Sequence, residues 1–133
     1  MLAAIADTHA IIWYLYGDAR LSITARNFIE NAVTAGNTIV VSAITPIEMV
    51  YLIEKRRIAS ESLTRLVSAL DNPLNVFEAY PIDVSIARTL SRVDRAQIPD
   101  MPDRIIAATG MHLGIPIISR DGKIKASDIT TIW

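Results

Sequence analysis

Short unbroken apolar runs, each followed by a stretch of helical pattern, constrain this chain more than any other feature. LAAIAD (2–7) reads as a buried strand, and THAIIWYLY (8–16) as a short apolar helix closed by Gly17. Ser22 is placed to cap a helix through Ala35, with Gly36 as its stop. TIVVS (38–42) is β-branched and strand-like. A helix from about Pro46 to Arg56 comes next, and Ser60 caps another to about Leu70, with Pro73 beyond its end. NVFEAYPI (75–82) reads as a third strand, Asp83 as the cap of a helix to about Arg92, and 94–102 as loop. DRIIAATGMHLG (103–114) is then a buried helix stopped by Gly114, IPIIS (115–119) a fourth strand and DITTIW (128–133) a fifth.

A strand covered on both faces reads as a continuous apolar run, whereas one half-open to water alternates. Strands and helices that alternate along the chain imply a parallel sheet between two helical layers. The expected fold is therefore a doubly wound α/β/α sandwich. The 133 residues argue for one domain, 1–133. A chain of that size buries roughly two-thirds of its unfolded surface and needs no staple. With no cysteine, disulfide frameworks and thiolate metal sites are excluded. A formal net charge of −1 leaves no global basic field, so any contact with nucleic acid needs a local patch. The apolar N-terminus lacks a basic leader and meets Asp7 early, against a signal peptide. The uncharged run 31–47 is broken by asparagine, glycine and proline, against a membrane span. A soluble, cytoplasmic protein is expected.

Ligands of open α/β sheets bind outside the carboxyl ends of the strands, where the following helices begin. Asp7 ends the first strand, Glu48 and Asp103 sit near the starts of helices, and Asp121 follows the fourth strand. All belong to one edge, and so does Asp83. Each has a structural reading of its own. TPIE (45–48) matches a capping box with Thr45 as N-cap and Glu48 reaching back. In DMPD (100–103), Asp100 caps a helix whose dipole favours Asp103. SRDGK (119–123) makes a turn, and Asp7 can start the helix that follows it. Together, however, they form a cluster of like charges, each close pair costing on the order of 4 kcal/mol at 4 Å and an effective dielectric of 20. Such a cluster needs raised pKa values or cations. All-oxygen donors suit Mg²⁺ or Mn²⁺, and two such ions clamp the attacking and leaving oxygens of a phosphodiester.

IADTHAIIWYL, VVSAITPIEM, DMPDRIIAATG, PIISRDGKI and ITTIW, in that order and at these spacings, resemble the PIN-domain ribonucleases, in particular the VapC-type toxins of toxin–antitoxin pairs. The resemblance runs nearly end to end, and no member of its acid set is missing. Pro102 directly before Asp103 is a mild departure, expected to leave the acid in place. The resemblance implies a strand order of 3-2-1-4-5, which puts Asp7 and Asp121 at the centre, Glu48 and Asp103 beside them, and Asp83 outside. It implies Mg²⁺- or Mn²⁺-dependent hydrolysis of RNA by Asp7, Glu48, Asp103 and Asp121 as metal ligands, leaving 5′-phosphate and 3′-hydroxyl ends. It also implies a cognate antitoxin and a homodimer.

Thr8 and Ser119 are candidates to orient a carboxylate or a water, with strand-end and cap hydroxyls the plainer reading. Arg104, Arg120, Lys123 and Lys125 flank the acids and are candidates for RNA phosphates or for pairing with carboxylates. His9 and His112 receive no role, His112 suiting the end of its helix. EKRR (54–57) reads as a solvated helix end, with a face towards RNA or an acidic partner segment as the alternative. Trp13, Tyr14 and Tyr16 lie on a helix apolar nearly all round, with one side for the core and the other for a dimer partner or an antitoxin. Competing readings are a PIN nuclease of RNA processing without an antitoxin, a receiver-like Mg²⁺-binding signalling domain and a non-catalytic binding module. The receiver expects paired acids after its first strand, where this chain has Asp7 and then Thr8.

Overall fold

The computed structural model describes residues 1–74 and 76–133, for Ala126 the backbone alone. Position 75, where the expected third strand begins, lies outside the described residues. In chain order the elements are β1 (Leu2–Ala6), α1 (Thr8–Tyr16), α2 (Ile23–Ala35), β2 (Thr38–Ser42), α3 (Ile44–Glu54) and α4 (Glu61–Asp71). They continue with β3 (Phe77–Tyr80), α5 (Val84–Leu90), α6 (Met101–Leu113), β4 (Ile117–Ile118), α7 (Gly122–Ala126) and β5 (Thr131–Ile132). The sheet has the order β3-β2-β1-β4-β5, and every pairing is parallel. The expected topology holds.

Successive residues of a strand point to opposite faces, so the unbroken apolar runs feed two cores. Ala4 and Ala6 of β1, Ile39 and Val41 of β2 and Ile118 of β4 pack with Ile11, Ile29 and Leu66 from α1, α2 and α4. Ile5, Val40 and Ile117, between them in sequence, pack with Ile86 of α5 and Ile105 and Ile106 of α6. The long helix α6 lies close on the sheet because Gly110 presents no Cβ. One built there would meet Ile117 Cγ1 at 3.1 Å, the Ile115 carbonyl oxygen at 3.2 Å and Ile5 Cγ2 at 3.3 Å.

Helix ends follow the expected chemistry in five places. Ser22 accepts the Ala25 amide at 3.0 Å and Asp83 that of Ile86 at 3.1 Å. Gly17, Gly36 and Gly114 close their helices at positive φ, a conformation that costs glycine little. Three expectations fail. Ser60 makes no capping bond. The residues 119–123, expected as a turn, instead launch α7 from Asp121, whose Oδ1 accepts the amides of Lys123 and Ile124. The capping box at 45–48 does not form, because α3 starts at Ile44, two residues before Pro46. Pro46 is tolerated there because first-turn amides have no partner inside the helix. Thr45 is fully buried, and its hydroxyl meets that of Thr8 at 3.2 Å. Glu48 is thereby left without a capping task.

Candidate active site

From β1 the chain leads to β2 on one side, and β4 joins β1 on the other, so the centre of the sheet is a switch point that leaves a crevice at the carboxyl ends of the strands. Asp7 is the first residue beyond β1. Its amide donates to the Ile118 carbonyl at 3.0 Å and its Oδ1 accepts the Ala10 amide at 2.8 Å. The backbone of Asp7 thus extends the β1–β4 ladder while its side chain caps α1. Ser119, fully buried beyond β4, hydrogen-bonds the Asp7 carboxylate and accepts the Asp121 amide on its Oγ at 3.0 Å. One hydroxyl therefore ties two of the acids together, across 114 positions of sequence. Asp121 engages its cap through Oδ1 alone, which leaves Oδ2 for the crevice.

Asp103 stands in the first turn of α6. Asp100 takes the capping role, accepting the Asp103 amide at 3.2 Å, so the Asp103 carboxylate has no local duty. These acids meet in a cleft of about 280 Å³ lined by Asp7, Glu48, Asp100, Asp103 and Asp121, with Thr8, His9, Trp13 and Arg120. The four acids picked out in the sequence are brought together. Asp100 is a fifth that sequence reasoning left as a cap alone, although its place three residues before Asp103 puts it on the same helix mouth.

The electrostatics of the cleft follow from this crowding. The Asp103 carboxyl is pushed up to about 7, first by burial and then by the charges of Asp100, Asp121, Asp7 and Glu48. Asp7 is also raised, by burial above all, against the hydrogen bonds from Ser119 and Ala10 and the charge of His9, with Asp121 adding to the rise. Carboxylates that resist ionisation together are relieved by a cation between them. The donor set, oxygen throughout, fits a hard divalent ion. Among the described residues no three such donors are already gathered into a cage.

The other candidates separate by position. Thr8 lines the cleft, but its hydroxyl joins α1 to α3 through Thr45 rather than reaching a carboxylate. Arg104 does not line the cleft. Its guanidinium donates to the carbonyls of Leu90 at 3.2 Å and Val93 at 2.9 Å, closing the end of α5. Both readings of Arg104, phosphate contact and acid partner, give way to this one. Lys123 and Lys125 are exposed on α7, outside the cleft lining. Arg120 lines the cleft and lies over the Trp13 ring, 4.6 Å from its centroid. His9 is exposed at the mouth, its ring 5.6 Å from that of Trp13.

Of the α1 aromatics, Trp13 is buried, Tyr14 is half-buried and Tyr16 is exposed. Tyr14 meets Phe77 edge-on at 5.6 Å, and Arg65 of α4 covers the Tyr16 ring at 4.3 Å. A further exposed apolar strip lies on α3, at Ile47, Val50 and Tyr51.

Comparison with known proteins agrees with this geometry. The family model of the PIN domain matches residues 4–129. Ribonuclease VapC22 of Mycobacterium tuberculosis is 26% identical over 126 residues, spanning 95% of this chain and 92% of that protein. Among solved structures, VapBC2 from Rickettsia felis, bound to a DNA fragment from its promoter, superposes with a TM-score of 0.70 at 15% identity, over 98% of this chain and 97% of that one. A toxin–antitoxin complex from Klebsiella pneumoniae superposes at 0.67 and 24% identity, over 98% and 97%. FitAcB from Neisseria gonorrhoeae superposes at 0.62 and 18%, over 96% and 95%.

Proposed function

The chain belongs to the PIN-domain family, and on that premise we propose that residues 1–133 act as one domain, a divalent-cation-dependent endoribonuclease that serves as the toxin of a toxin–antitoxin pair. The observation that carries the reading is the convergence of five carboxylates on one cleft, with the Asp103 carboxyl pushed up to about 7. Similarity to a protein named as a ribonuclease, and to folds solved as toxin–antitoxin complexes, supports the choice of substrate and setting.

Asp7, Glu48, Asp103 and Asp121 are the residues that would hold Mg²⁺ or Mn²⁺. When bound, such a cation stabilises charge on the phosphoryl oxygens and makes water acidic enough to act as nucleophile at neutral pH. The work of the chain is placement. The Ala10 amide and Ser119 hydroxyl fix the Asp7 carboxylate, and the α7 amides fix Asp121. Glu48 and Asp103, without capping duties, close the ring from α3 and α6. Hydrolysis then leaves 5′-phosphate and 3′-hydroxyl ends.

An antitoxin protein and a second copy of the chain are the proposed partners. The exposed strip of Ile47, Val50 and Tyr51 on α3 supports a protein partner over a chain that acts alone. Among the described residues no helix is long and apolar enough to cross a membrane, and we place the protein in the cytoplasm. The test is cleavage of total RNA with Mg²⁺ and with EDTA, followed by mapping of the ends. Cleavage is expected with Mg²⁺ alone. RNA cut equally well in EDTA, or left intact under both conditions, would overturn the reading.

A further inference from the structure

Two arginines lie over the indole of Trp13, and they differ in one respect. Arg20, 5.1 Å from the ring centroid, is neutralised: its Nε and Nη2 donate to Asp18, with a closest approach of 2.7 Å. Arg120, 4.6 Å from the same ring, has no ion pair among the described residues, although five carboxylates line the cleft that it also lines. It is the one lysine or arginine in that lining. A mobile cation beside five acids would ordinarily fold onto one of them. Here the guanidinium carbon lies over the indole instead. Trp13 is itself held, 5% exposed, with the Trp133 ring edge-on at 5.9 Å.

Stacking occupies the face of a guanidinium and leaves its N–H edge free in the plane, the edge that grips a phosphate bidentately. Stacking also fixes the side chain in advance, which lowers the entropy cost of binding. We propose that Arg120, positioned by Trp13, binds a backbone phosphate of the single-stranded RNA next to the phosphate being cleaved. The inference rests on the ribonuclease reading and deepens it. A cleft with five acids repels a polyanion, and Arg120 supplies an attraction within the same lining, beside the carboxylates that would hold the cation. Arg120 is a binding residue, and Trp13 a positioning residue that acts through it.

The experiment is cleavage of a fluorescein-labelled single-stranded RNA oligonucleotide with Mg²⁺ over a KCl series, with direct binding by anisotropy in parallel. Arg120→Ala is expected to raise KM about tenfold with kcat within about threefold, the signature of lost binding rather than lost chemistry. The slope of log affinity against log salt should flatten by about 0.7, the share of one phosphate on a single strand. Arg120→Lys keeps the charge but loses the stacked fork, and should recover only part of the affinity. Trp13→Phe, which keeps an aromatic platform, should raise KM less than Trp13→Leu, with both folds checked by circular dichroism. Arg88→Ala, exposed on α5 and outside the cleft lining, is the surface control. A KM within twofold of the parent, an unchanged salt slope, or a loss wholly in kcat overturns the proposal. RNA bound with an Arg120-dependent slope but never cut overturns the nuclease reading and leaves this inference standing. RNA cut without regard to Arg120 does the reverse.

Discussion

At the β1–α1 junction Asp7 accepts the amide of Ala10 at 2.8 Å, and at the β3–α5 junction Asp83 accepts that of Ile86 at 3.1 Å. Both acids follow a parallel strand, and both cap the helix that comes next. Yet Asp7 is buried in the cleft, fixed by Ser119 and crowded by Asp121, while Asp83 is exposed and lines no part of it. The local chemistry is the same, and the strand order separates them. β1 is the middle strand and β3 the outermost. A capping aspartate becomes a candidate ligand only where the topology gathers other acids around it.

The sharpest way to break the contrast is substitution at Asp7. Asp7→Asn keeps the size and the capping oxygen and removes the charge. RNA cleavage should fall about a thousandfold or more, roughly 4 kcal/mol of transition-state stabilisation, with an unchanged circular dichroism spectrum. Cleavage at the parental rate would remove Asp7 from the site.

Asp103→Asn should lower cleavage about a hundredfold, some 2.7 kcal/mol, and should at the same time stabilise the metal-free protein. The folded state holds the Asp103 proton up to about pH 7, whereas the unfolded chain releases it near 3.8. Between those values the folded state binds more protons, so its stability falls as pH rises, and the penalty is complete above about pH 7. Asparagine escapes that penalty. Discounted for the solvent that screens a half-buried group, the gain at pH 8 in EDTA is about 1 kcal/mol, or roughly 3–5 °C in Tm. It should shrink towards pH 4, and Mg²⁺ should narrow it by stabilising the parent. A Tm that drops at pH 8 on substitution would show that the Asp103 charge is not frustrated.

The strand order itself was readable by resemblance, and the two-faced burial behind it by pattern. LAAIA is apolar throughout and TIVVS is apolar at its three central positions, so neither alternates and both fit between two helical layers. The cleft was less legible. Glu48 looked like part of a capping box, because Pro46 marks a first turn without saying which residue of that turn it occupies. The buried Thr8–Thr45 pair, which draws Thr45 inside the helix, joins residues 37 apart in sequence and leaves no local trace. Arg104 next to Asp103 invited pairing, but a helix turns its neighbours by about 100°, and Arg104 points to the end of α5. The short helix α7 was hidden because Asp-Gly signals a turn and a helix start alike.

Ser119 provides a smaller test on the Asp7 side. Ser119→Ala removes the hydroxyl that joins Asp7 to Asp121 without touching either carboxylate. The Mg²⁺ concentration for half-maximal cleavage should rise about tenfold, the lower end of what losing a ligand-orienting partner costs. An unchanged Mg²⁺ requirement would reduce Ser119 to a strand-end hydroxyl.

The smallest effect belongs to Asp83, where the comparison is most exposed to failure. Asp83→Ala deletes the cap of α5 and nothing else that the cleft uses. Loss of an aspartate N-cap costs about 1 kcal/mol, which for 133 residues is roughly 3–5 °C in Tm. RNA cleavage below the melting range should stay within about twofold of the parent, since even the smallest site effect predicted above, the tenfold change at Ser119, is about 1.4 kcal/mol. The converse pattern, a fall in cleavage with no change in Tm, would mean that the outer strand reaches the site by a route other than α5 and its packing on α6. Asp83→Asn separates the two contributions, because asparagine caps almost as well as aspartate and carries no charge. If both variants cleave RNA at the parental rate and only the alanine melts early, Asp83 is a cap alone. The boundary between cap and ligand then falls between the outer strand and the middle one.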